Sequence, residues 1–159
     1  MSHDARSVAN ELIRLAREEE HAVTPMQVLK LTYLCHAWML GLYGRPLFRQ
    51  RVEAWMYGPV VGDVYRSLKQ YGGSPIRTTI KFVQTESFDE YEKDLIEQVW
   101  RRYGNLSGPQ LSAMTHAPGT PWSIVRHRPG RTSVNSPIIP NNLIQRHYES
   151  KVATSDDND

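Results

Sequence analysis

The sequence predicts a mainly α (α+β) protein: a single compact domain of about seven helices, with a small two- or three-stranded β-ribbon inserted after the second helix. Three observations carry this. Helix-start devices recur along the chain, at Thr24 with Pro25, Ser87 with Glu90, Ser107 with Gln110, and Thr120 with Pro121. Apolar residues at helical spacing follow them. A run from Val52 to Tyr57, VEAWMY, alternates apolar and polar or aromatic residues as a strand does. The length, 159 residues without an internal repeat, is that of one domain.

The first helix runs from about Asp4 to Glu19, where Val8, Leu12, Leu15 and Ala16 form one apolar stripe. Glu18, Glu19 and Glu20 lie at the end of the helix dipole that disfavours acids and help to stop it. The second helix starts at the N-cap Thr24, with Pro25 in its first position and Gln27 completing a capping box. Its apolar residues lie on all sides, Leu29, Tyr33 and Ala37 on one and Leu34, Cys35 and Trp38 on others, so other elements must surround it. Gly41 or Gly44 ends it.

Gly58 and Pro59 break the strand that follows, because proline lacks a donor for the ladder. The next helix carries Val61, Val64, Tyr65 and Leu68 and stops at Gly72 and Gly73. The β-branched run IRTTIKFV, residues 76 to 83, is expected to be a second strand paired with residues 51 to 55. Ser87 and Glu90 open a helix with Tyr91, Leu95, Ile96, Val99 and Trp100 inward, ended by Gly104. Ser107 caps the next, with Leu106 and Leu111 placed as a hydrophobic staple. Thr120 and Pro121 begin another, and IIPNNLIQRHYES reads as the last, with Leu143, Ile144 and Tyr148 on one side. The helical domain spans residues 1–149, and residues 150–159, SKVATSDDND, read as a disordered acidic tail.

Composition narrows the function classes. Apolar residues at 40% and charged residues at 23% are ordinary for a soluble globular chain. The single cysteine, Cys35, excludes an internal disulfide and a cysteine-rich zinc site, and favours a reducing cytoplasm. The start lacks the apolar core of a signal peptide, and the longest apolar segment, residues 26 to 43, is interrupted by Gln27, Lys30 and His36, so no membrane partner is expected. The net charge is +2, and +5 without the three aspartates of the closing DDND, which permits an acidic partner without demanding one.

No phosphate-binding glycine loop, zinc-protease motif or nucleophile elbow is present. The six histidines are scattered, with no pair at i+3 or i+4, so no metal and no cofactor is expected. Cys35 and His36 point about 100° apart on one helix and do not form a nucleophile–base pair. Two constellations remain. His116 sits at a helix C-terminus with Trp122 nearby, as a capping histidine or as part of a site. Arg126, His127, Arg128 and Arg131, with Arg101 and Arg102 as candidate neighbours, form a solvated basic face or a surface for an acidic protein partner; nucleic acid ranks third, since aromatics do not interleave the charges. Trp55 and Tyr57 share one side of the strand and Tyr65 follows on the next helix, either as a satellite core or as a partner patch set by the Pro59 corner.

The run from Lys30 to Gly72 resembles the Panacea domain of SocA-like antitoxins and phage-associated proteins. The matching positions are Lys30, Leu31 and Tyr33; Tyr43, Gly44, Pro46, Leu47 and Phe48; Glu53 to Val61; and Tyr65 and Leu68. Farther on, Leu111, Thr115, His116, Pro121, Trp122 and the IPNNLIQRHY segment resemble the rest of that domain, so the likeness covers roughly residues 5 to 149. It implies a binding protein that neutralises a cognate toxin encoded beside it, some members acting as adaptors that deliver the toxin to a protease. No catalytic residue comes with it. The alternatives are a DNA-binding regulator of its own operon, from the basic cluster, and a hydrolase centred on His116.

Overall fold

The computed structural model describes residues 2–128 and 136–157. Among them are seven α-helices and three short strands: α1 (Ala5–Glu18), α2 (Pro25–Tyr43), β1 (Val52–Trp55), β2 (Gly58–Val60), α3 (Gly62–Leu68), α4 (Glu90–Tyr103), α5 (Gly108–Thr115), α6 (Pro121–Arg126), β3 (Ile138–Ile139) and α7 (Asn141–Asp157). The mainly helical single domain with a small antiparallel sheet is thus the one the sequence predicts. α2 is its axis. Helices α1, α4, α5 and α7 pack around it, and almost every residue from Val28 to Leu40 is buried. This is the environment that its all-round apolar pattern requires.

The local start signals hold at α2, α5 and α6. Thr24 and Gln27 form a reciprocal capping box, as do Ser107 and Gln110, and Thr120 caps α6 through the Ser123 amide. Gly44 ends α2 in the left-handed region at φ 68°. Gly41 serves packing instead: a Cβ there would lie 2.6 Å from the Cβ of Tyr148, so its bare backbone lets α7 close on α2.

Four expectations are corrected. The sheet order is β2-β1-β3, so the partners of β1 are residues 58–60 and 138–139, and not residues 76–83. Those residues run across α1 without strand structure: the Asn10 side chain accepts from Ile80 N at 2.6 Å and donates to Ile80 O at 3.1 Å, and so occupies groups that a strand neighbour would need. Gly58 and Pro59 do not break the ribbon, because they are its second strand. Pro59 lies opposite Ala54 on an edge strand, and the Ala54 N–H points the other way, to Pro137 O at 2.8 Å; the missing proline donor leaves no gap.

The start of α4 is Asp89 with Glu92, two residues beyond Ser87 and Glu90, and Tyr91 faces solvent. Glu92 is fixed there by tertiary contact: it is buried and paired with His3 at 3.0 Å. Finally, α7 continues through residues 150–157, which read as a disordered tail. No glycine or proline interrupts the segment, and Ser150 and Thr154 donate back to the carbonyls of His147 and Ser150. Among the described residues no helix is long and apolar enough to cross a membrane.

Candidate functional site

The sheet builds a two-residue hairpin. Trp55 pairs with Gly58, leaving Met56 and Tyr57 as its tip, and both side chains are exposed, at 68% and 65%. Tyr57 is therefore in the turn and does not share the Trp55 side of a strand. Trp55 lies half-buried against Tyr65 of α3, rings 4.9 Å apart and edge-on at 70°.

The backbone of the hairpin is pinned from three helices. From α6, the Trp122 Nε1–H donates to Trp55 O at 2.6 Å, and Arg126 donates to Ala54 O at 3.1 Å while its guanidinium stands 5.5 Å over the Trp122 ring. From α5, the Ser112 hydroxyl donates to Tyr57 O. That uses the only proton of the serine, so His116 Nδ1, 3.3 Å away, is the donor to the serine oxygen. The His116 ring packs beside Trp122, centroids 5.2 Å apart. From α2, Lys30 Nζ donates to Pro59 O at 3.0 Å.

Six sequence candidates thus meet around one feature: Trp55, Tyr57, Tyr65, His116, Trp122 and Arg126. Pro59 belongs to it as a buried backbone anchor and presents no surface. Arg128 is exposed just beyond α6, and Arg131 lies outside the described residues. Arg101 and Arg102 are elsewhere: they edge a groove of about 1240 Å³ between α2, α4 and α7, floored by Leu34, Trp38 and Tyr148.

Sequence reasoning missed Lys30, Ser112 and Thr115 as parts of the site. For Lys30 a signal existed, a cation inside a helix apolar on every side. Its side chain is 2% exposed, and burial brings its pKa down to about 8. His36 is a second buried polar group with a structural task. Its Nδ1 accepts from the Leu47 and Phe48 amides, so Nε2 carries the proton and donates to Asn141 at 3.0 Å. Burial lowers its pKa to about 4, with the Asn141 bond opposing. Cys35 is wholly buried and its thiol pKa is pushed up, which leaves it an inert core residue. Among the described residues no group of three or more His, Cys, Asp or Glu is placed to hold a metal ion.

The fold and the site together define a helical domain that carries an exposed aromatic hairpin held from three helices. Residues 28–123, which run from α2 through Trp122, match the Panacea domain of the antitoxin SocA-like family. The antitoxin SocA of Caulobacter vibrioides (strain NA1000 / CB15N) is 33% identical over 138 residues, covering 81% of this chain and 73% of that protein. The chain belongs to the SocA-like antitoxin family of Panacea-domain proteins. No solved structure matches it.

Proposed function

We propose that the protein is an antitoxin that neutralises a cognate toxin by direct protein–protein contact in the cytoplasm, and that the hairpin face is where the toxin docks. The observation that carries the docking site is an exposed Met56–Tyr57 tip on a backbone already fixed at Trp55 O, Tyr57 O and Pro59 O. Aromatic side chains supply large contact area, and a tip ordered before binding pays less entropy on association. Tyr65 and Trp55 extend the apolar surface, and the exposed Arg128 beyond α6 adds a positive charge suited to an acidic rim on the toxin. Delivery of the bound toxin to a protease is a second step compatible with this face. His116 gains no support as a hydrolytic base, because its Ser112 partner is buried and has already given its proton to Tyr57 O.

The test is co-expression with the product of the neighbouring gene. That product is expected to arrest growth alone and to be harmless with the protein present; a product that is harmless alone, or equally toxic in both cases, refutes the antitoxin reading. Tyr57→Asp with Met56→Asp should abolish rescue while leaving the circular dichroism spectrum unchanged. Full rescue by that double variant moves the docking face elsewhere. Toxin half-life with and without the protein separates occlusion from delivery to a protease.

A further inference from the structure

Among the described residues no carboxylate is paired with the Lys30 ammonium, and neither β2, which supplies its acceptor, nor α5, which packs on β2, carries one: β2 is Gly58, Pro59 and Val60, and α5 is GPQLSAMT. His116, which caps α5, is turned to Ser112 and Trp122, and Glu53 of β1 lines the small groove on the outer side of the sheet with Arg51 and Asp63. A buried cation without an ion partner costs stability, and an apolar side chain of that length would fill the same space without the cost. What the ammonium obtains is one acceptor, the Pro59 carbonyl, two residues beyond the exposed tip.

The backbone is shaped to receive it. Gly58 has φ 120°, a region that side-chain-bearing residues rarely adopt, and a Cβ there would stand 3.0 Å from Lys30 Nζ and 3.4 Å from Thr115 Oγ1. The strand therefore bends at the residue that leaves room for the ammonium. We propose that Lys30 is a positioning residue for partner recognition: seated against Gly58 and bonded to Pro59 O, it holds the Met56–Tyr57 tip in its binding shape. This rests on the hairpin face being where the toxin docks.

Amide hydrogen exchange on the free, full-length protein tests the pin without any toxin. In Lys30→Met, or Lys30→Gln if the first variant fails to fold, the Gly58 and Val60 amides of the ladder should exchange about tenfold faster while α2 amides such as Leu34 keep their rates. Unchanged tip exchange overturns the proposal. Titration calorimetry with the toxin of the neighbouring gene should show binding about fivefold weaker for Lys30→Met, with Tyr57→Ala weaker still. A mobile tip with wild-type affinity, while Tyr57→Ala binds poorly, overturns positioning but keeps the face. Wild-type affinity in Tyr57→Ala removes the face itself, and the proposal falls with it.

Discussion

His36 and Lys30 are both polar groups inside α2, yet they respond to pH in different windows. The folded pKa of His36 is about 4, below its ordinary 6.5, so between those values the unfolded chain binds more protons than the folded one. Stability contributed by neutral His36 is complete above pH 6.5 and is lost as pH falls toward 4. A shift of that size corresponds to roughly 3 kcal/mol. Urea denaturation should therefore show a midpoint that falls across this window in the wild type and falls less in His36→Leu. At neutral pH that variant should itself be about 2 kcal/mol less stable, because the Leu47 and Phe48 amides lose their acceptor. Lys30 is charged in the unfolded chain up to its ordinary 10.5 and in the folded chain only up to about 8. Wild-type stability should thus rise relative to Lys30→Met between pH 8 and 10.5, and a flat difference across that interval would show that the ammonium is not buried as described.

At the scale of elements, the joint between α2 and α7 depends on Gly41. Alanine there would bring a Cβ to 2.6 Å from Tyr148 Cβ and 2.9 Å from the Tyr148 carbonyl carbon, and backbone does not yield as a flexible side-chain end does. Gly41→Ala should cost about 2 kcal/mol and weaken the near-ultraviolet signal of Trp38, whose ring lies edge-on to Tyr148 at 5.0 Å. The sequence places Gly41 and Gly44 near one helix end and does not tell the contact from the cap, since the contact is made by a residue more than a hundred positions away. The same division runs through the fold. Devices that close within three or four residues, such as Thr24 with Gln27, are readable because both partners lie in one window. Ser87 with Glu90 and Asp89 with Glu92 both suit a helix start, and the choice is made by His3 and Arg45 from elsewhere in the chain. Strand partners are non-local as well: residues 76–83 have the composition of a strand, but β1 is paired with residues 58–60 and 138–139. The site follows suit. Trp55 with Tyr65, and His116 with Trp122, are visible as spaced aromatics, whereas the bond from Trp122 to a backbone carbonyl of residue 55 leaves no trace in composition.

For the whole molecule, the proposed toxin contact has two candidate surfaces: the hairpin face and the groove between α2, α4 and α7. The end of α7 separates them. Its buried anchors are Ile144 and Tyr148, while Ser150, Lys151 and Thr154 are exposed and line the groove wall. Removing the residues after Glu149 takes away that wall and leaves the anchors and the hairpin in place. Exposed positions of this kind contribute about 0.5 kcal/mol or less each, so the truncated chain should melt within a few degrees of the full one. If the hairpin face binds the toxin, truncation should leave rescue in co-expression intact, and Tyr57→Asp should abolish it in either background. If truncation abolishes rescue while the melting temperature holds, the groove is the docking surface, with Arg102 above Trp38 and Tyr103 as its cationic edge. The two variants compared in one growth assay decide between the surfaces, because neither removes a residue that the other surface needs.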